Sequence, residues 1–285
     1  MQSRSLSLAR IHVAVVLFGF PGLFGKWLAL SPAAIVLGRV AFAAAALAAV
    51  LAAGRTGFRV ADRRDIARLV LCGLVLALHW TAFFKSVQVS SVAVGLLAYS
   101  SFPVFTAFLE PLLMMERWDP ASLAFALMCV LGVGLIVPRF DLTDAVLRGV
   151  LWGLLAGLTF AFLSVLDRDL ASRHPSLWVA FYQDLVAALV LLPVVLPRGV
   201  ALTGRELALL AVLGVVCTAL AHTLFIEGMK GVGARTASVL SALEPVYGIL
   251  LALVFLKESP SLRTVSGGAV VLAAALAATV RARRP

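Results

Sequence analysis

A chain of 285 residues that is 62% hydrophobic and only 13% charged, with a mean hydropathy of +1.05, lies outside the soluble globular class. Soluble domains are about half apolar and a quarter charged. The formal net charge of +10 does not point to nucleic acid, because the basic residues cluster in short loops beside apolar blocks, where they set topology and meet anionic lipid. Cys72, Cys129 and Cys217 fall inside those blocks with no CxxC or other metal spacing, which excludes a disulfide framework and a cysteine metal site.

The apolar blocks have the length a helix needs to cross a bilayer, about 17 to 25 residues, rather than the alternation of an outer-membrane barrel. Ten helices are predicted, at approximately 11-30, 33-53, 66-87, 91-115, 121-137, 149-166, 177-196, 207-226, 234-256 and 263-280. The first follows Arg4 and Arg10 but precedes no small-x-small cleavage site, so it is read as an uncleaved helix. The segment RTGFRVADRRDIAR between the second and third is a basic loop that orients the chain. Lysine and arginine are more numerous on the side that carries both termini, which predicts cytoplasmic termini.

Internal symmetry comes next. Pro103 and Pro245 are 142 residues apart, and so are Glu116 and Glu258, which close LLMME and FLKE. The same offset pairs Lys26, Leu28 and Ala29 with Arg168, Leu170 and Ala171, while His79 matches His222 within one residue and Arg39 matches Gln183 with a two-residue slip. The fold expected is therefore all-α, a polytopic membrane protein of ten transmembrane helices built as two inverted five-helix repeats, 1-142 and 143-285. An odd helix count per repeat forces the second to enter the membrane from the opposite side.

The ten-helix plan, the prolines of the fourth and ninth helices with a glutamate thirteen residues on, the Glu244-Pro245 pair and the arginine of the second helix together resemble the EamA family of the drug/metabolite transporter superfamily. Within it the chain looks most similar to YddG-type amino-acid exporters. That resemblance implies export of small metabolites by alternating access without ATP, in a bacterial inner membrane. One departure stands out: Phe102 occupies the first-repeat position of Glu244, so the acid is not duplicated.

Ionisable residues inside spans are the candidate functional residues, since such groups face a bundle interior or a water-filled cavity. Ser241, Glu244 and Gly248 share one face of the ninth helix. Pro245 and Pro103 remove the bonds that would satisfy the carbonyls of Ser241 and Tyr99, so they are read as hinges, with Pro21 and Gly22 as a further hinge in the first helix. Arg39 either snorkels to the interface, pairs with an acid or offers its charge to a substrate carboxylate. His79 and His222 are read as core histidines or as contacts on the path. Gln183, with neighbouring Tyr182 and Asp184, supplies a polar patch, and Tyr99 and Tyr247 supply aromatic surface at mid-depth.

The leading function is a secondary transporter with a small-molecule substrate, an amino acid or similar metabolite, working as a monomer in the lipid bilayer. Two alternatives are a broad-specificity drug exporter and a membrane-embedded lipid-modifying enzyme. The second lacks the clustered carboxylates such enzymes need: Asp141 with Asp144, and Asp167 with Asp169, are read as loop or helix-end acids. No nucleotide loop, cofactor motif or metal spacing is present, so neither cofactor nor metal is expected.

Overall fold

A computed structural model describes residues 4–54, 62–115, 120–225, 227–228, 240–241 and 243–281. The repeat marker Glu116 and the first half of the basic segment after the second helix, residues 55–61, lie outside those residues. Among the described residues the chain is helical, without strands.

Among the described residues these helical elements follow one another: α1 (Ser5–Trp27), α2 (Pro32–Ala53), α3 (Arg63–Val89), α4 (Val92–Leu113), α5 (Ala121–Ile136), α6 (Ala145–Arg173), α7 (Ser176–Val195), α8 (Gly204–Phe225), α9 (Glu244–Leu256) and α10 (Leu262–Arg281). Seven of them, α1 to α4 and α6 to α8, are long and apolar enough to cross a membrane; α5, α9 and α10 carry shorter apolar stretches. Their outer faces expose leucine, valine and phenylalanine in number, Leu131 on α5 and Phe255 on α9 among them, as a surface facing lipid would.

Several helices start where side chains replace missing backbone partners. Ser31 caps α2, Asp62 caps α3, Asp144 caps α6 through the amides of Val146 and Leu147, and Thr203 with Glu206 forms a capping box at α8.

Among the described residues proline sets three internal starts. In α1 the helix stops at Gly19 and resumes at Pro21. In α4, predicted as one helix over 91-115, it stops at Tyr99 and resumes at Phe102 with Pro103 second. The ninth predicted helix is likewise interrupted, with helical residues at 240–241, a turn at Leu243 and a new helix from Glu244 with Pro245 second. Proline suits the first turn, where its missing N–H would have had no partner, so these residues begin helices rather than kink continuous ones.

The core forms where α3 packs along α6 and α7, α2 along α7, and α5 along α10. Small residues let backbones meet at these crossings, which is how helices associate in lipid. A Cβ on Gly132 of α5 would lie 2.8 Å from the Gly267 carbonyl oxygen of α10, and one on Gly19 of α1 would lie 2.9 Å from the Gly248 amide of α9. Gly153 and Gly157 likewise bring α6 onto the α4 break, Gly157 facing the Tyr99 carbonyl.

Candidate functional site

The centre of the site is Arg39. It lies seven residues into α2, is only 4% exposed, and does not snorkel to an interface. Its Nε donates to Thr218 Oγ1 at 2.9 Å, and its guanidinium carbon sits 3.8 Å from the centroid of the Trp80 ring. This stacking on an indole face is the strongest of the cation–π pairings.

Thr218 is brought there by a π-helical stretch, Val212–Leu220, in the middle of α8. The wider turn lets the Thr218 hydroxyl donate to the Leu213 carbonyl, five residues back, at 2.9 Å, while accepting from Arg39. Such π-bulges recur at functional sites. Glycine completes the fit, since a Cβ on Gly214 would lie 2.5 Å from the Arg39 carbonyl oxygen.

Around this guanidinium the bundle gathers residues from five other helices. Asp184 of α7 and Glu244 of α9 both interact with it electrostatically, as do His79 of α3, Tyr99 of α4 and His222 of α8. Asp184 is 3% exposed. Glu244 is half-buried, and it opens the first turn of α9, where the helix dipole favours an anion.

An aromatic wall borders the charges on one side. His79, buried, has its Nδ1 2.9 Å from the Ala156 carbonyl of α6. Tyr99 stacks on Phe102 with centroids 5.4 Å apart, and Phe160 stands edge-on to Phe102 at 4.9 Å. The opposite side is looser: His222 meets Phe18 edge-on at 5.3 Å, and the Tyr247 hydroxyl comes within 3.5 Å of His12 Nδ1. His222, Ser241, Glu244 and Tyr247 are all half-buried, so the accessible part of the constellation lies where α8 and α9 face α1.

The structure therefore brings Arg39, His79, Tyr99, His222 and Glu244 together. Gln183 is directed elsewhere: its Nε2 donates to Asp167 of α6 beside Cys72. Asp167, read from the sequence as a helix-end acid, lies within α6, because that helix runs on to Arg173 rather than ending at 166. Pro21, Pro103 and Pro245 stand at the three helix restarts, and Gly22 packs against Val92 of α4. Three participants escaped the sequence reading: Asp184 as the neighbour of Arg39, Thr218 as its ligand and His12. Asp184 carried the needed signal, an acid inside a span, whereas Thr218 depends on a helix widening that no local pattern announces.

Two polar ties hold the ends of the bundle. At one, Lys26 of α1 donates to the Ser90 carbonyl at 2.8 Å and lies 3.7 Å from Glu258, whose other oxygen accepts from the Val92 amide at 3.0 Å. At the other, Asp65 of α3, 3% exposed, joins Arg173 and lies 2.7 Å from His174 Nε2 across the α6–α7 connection. Among the described residues no three histidine, cysteine or acidic side chains converge as a metal site requires.

Comparison with known proteins places this arrangement. The EamA-like transporter family matches residues 7–137 and again 147–280, nearly the whole chain in two copies. The chain belongs to the EamA-like transporter family. It is a multi-pass membrane transporter and not an enzyme. Similar EamA relatives include an uncharacterised transporter of Bacillus subtilis, 25% identical over 98% of this chain and 91% of its own length. A pseudopaline exporter of Pseudomonas aeruginosa is 29% identical over 76% of each chain, and an S-adenosylmethionine uptake transporter of Rickettsia felis is 26% identical over 73% of this chain and 69% of its own. A crystal structure shares the fold with a TM-score of 0.66 at 24% identity, covering 99% of this chain and 100% of the other.

Proposed function

We propose that this EamA protein is a secondary transporter that exports small amine-bearing metabolites, amino acids foremost, from the bacterial cytoplasm across the inner membrane. The observation that carries the reading is the half-buried Glu244 at the start of a broken helix, within electrostatic reach of the buried Arg39 in an apolar bundle. Discontinuous helices that meet ionisable side chains at mid-depth are the form binding sites take in secondary transporters. A carboxylate there accepts an ammonium, and the aromatic residues beside it accommodate an apolar side chain.

The reading takes the chain as two five-helix repeats, 1-142 and 143-285, crossing the membrane in opposite senses with both termini cytoplasmic. Pro103 and Pro245 restart helices at positions 142 residues apart, as that symmetry requires. His79, Tyr99, His222, Ser241, Glu244, Tyr247 and Arg39 border the passage, and Pro21, Gly22, Pro103 and Pro245 mark where helix halves move. Gln183 belongs to its wall through Asp167. The relatives named for pseudopaline and S-adenosylmethionine are consistent with a small-molecule cargo.

The test is flux. Purified protein in liposomes, without ATP, is expected to move radiolabelled amino acids above the rate of empty vesicles, and Glu244→Gln to lower that flux at least tenfold at unchanged melting temperature. Normal flux in Glu244→Gln, with only Glu244→Ala unstable, assigns the acid a structural role and refutes the site.

A further inference from the structure

The face of α1 that carries His12, Gly19 and Lys26 runs along α9. Seven residues make two helical turns, so these three stand at intervals of about 10.5 Å on one side of the helix. At Gly19 backbone meets backbone: a Cβ there would lie 2.9 Å from the Gly248 amide, and a Cβ on Gly248 would lie 3.1 Å from the Gly19 carbonyl oxygen. On either side of that crossing, side chains meet. Lys26 lies 3.7 Å from Glu258, whose amide donates to the Ala252 carbonyl at 3.3 Å and so fixes it to the end of α9. The Tyr247 hydroxyl reaches back to within 3.5 Å of His12 Nδ1, as side chains in a helix lean toward its N-terminus. Resting on the transport reading above, we propose that Gly19 and Gly248 form a fulcrum on which α9 rocks against α1, with Lys26–Glu258 and His12–Tyr247 as opposed latches on its two sides.

The crossing is built to stay fixed while the ends move. A backbone contact has no rotamer to yield, and α9 is held there from another side as well, where a Cβ on Gly248 would lie 2.3 Å from Leu96 Cδ1 of α4. Helix α9 is the beam, since it runs without interruption from Glu244 through Gly248 to Leu256. A tilt that draws one of its arms toward α1 lifts the other away. The short arm carries Glu244 and Tyr247, so cargo seated at Glu244 acts on the same beam that holds the Lys26 end.

The latches differ in strength. At the Lys26 end opposite charges meet, and Phe255 packs on Phe20 and Trp27 with ring centroids 6.3 and 6.1 Å apart. At the other end a hydroxyl and an imidazole stand at a distance longer than a good hydrogen bond. This is the posture of a beam tipped onto the Lys26 end. Two independent contacts would loosen separately, whereas a beam sets each latch against the other, and that reciprocity is measurable.

A cysteine at Ser91, beside Glu258 in the small cavity at the Lys26 end, reports how often that end opens through its rate of reaction with a membrane-impermeant maleimide. The protein is otherwise cysteine-free and no cargo is added, so the result stands apart from the flux test, in which failure rejects the amino-acid reading instead. In Glu258→Gln the Ser91 rate should rise about tenfold as the charged tie is lost. In Tyr247→Phe, on the far side of the fulcrum, it should fall about threefold, the worth of a weak hydrogen bond, because the His12 end then opens more readily. His12→Leu should lower it alike, and the double variant Glu258→Gln, Tyr247→Phe should return to about threefold above the wild type. A methyl group in the crossing, Gly19→Ala, should sever the link, so that adding Tyr247→Phe no longer changes the rate. An unchanged or raised rate in either Tyr247→Phe or His12→Leu overturns the proposal, since the two ends then loosen independently. A fall that persists in the Gly19→Ala background overturns it too, since the coupling then bypasses the crossing. The latch variants leave the packing at Gly19 and Gly248 untouched, so they decide the reciprocity even if Gly19→Ala fails to fold.

Discussion

Glu258→Gln should open the end of the bundle at which Lys26, Ser90 and Glu258 meet. The carboxylate there holds Lys26 at 3.7 Å and the Val92 amide at 3.0 Å, tying α1, α4 and the α9–α10 connection in one place. At an effective dielectric constant of about 20, two unit charges at that distance attract by about 4 kcal/mol. Both side chains are about a quarter exposed, so solvent screening and the entropy of holding them leave about 1 kcal/mol of net pairing. Glutamine retains an oxygen for the Val92 amide but makes a neutral bond of it, a further loss of about 0.5 to 1 kcal/mol. The sum, about 1.5 to 2 kcal/mol, shifts a two-state equilibrium by about ten- to thirtyfold. The assay needs no substrate: a single cysteine at Ser91, which lines a small cavity with Glu258, Ser259 and Pro260, is labelled with a membrane-impermeant maleimide in an otherwise cysteine-free protein. Labelling should accelerate about tenfold in Glu258→Gln. An unchanged rate would refute the idea that this tie holds the end shut.

Other expectations follow from the same reasoning. Asp65→Asn leaves Arg173 and His174 without their shared acceptor, and since Asp65 is buried while Arg173 is about a third exposed, the loss should be about 1 to 3 kcal/mol, seen as a lowered melting temperature in detergent. Gly132→Leu forces side-chain atoms against the Gly267 backbone and should cost about 2 to 3 kcal/mol by the same assay. Gly134→Ala, two residues on in open space, should instead match or slightly exceed the wild type. Thr218→Val removes the acceptor for Arg39 and the donor to Leu213 and should lower stability by about 1 to 2 kcal/mol; an unchanged melting temperature would show that the Arg39 bond contributes nothing.

Much of this was legible along the chain because the bilayer permits so few structures. Apolar length located the helical stretches, and the 142-residue spacing of Pro103 and Pro245 marked two of the three internal helix starts. What the spacing concealed was rotation. Gln183 and Asp184 are neighbours in sequence but about 100° apart around a helix, so Gln183 turns to Asp167 while Asp184, buried on another side of α7, is within electrostatic reach of Arg39. Glu244 and Arg39 were conspicuous as charges in apolar runs, but their mutual electrostatic contact depends on helix packing over a separation of more than two hundred residues. Phe102 marks a similar limit: the sequence shows that it replaces an acid, and only packing shows that it joins Tyr99 and Phe160 as wall.

At the break in α4, Ser100 Oγ donates to the Leu96 carbonyl and Ser101 Oγ to the Ala98 carbonyl, each at 2.7 Å. The hydroxyls travel with the first half of the helix, so those carbonyls keep a partner whatever angle the second half adopts from Phe102 onward. Reorienting the two halves there does not require breaking these bonds in a medium that offers no replacement. Any reorientation at that joint has to carry Tyr99, Phe102 and Phe160 past one another, so its ease should change with ring size.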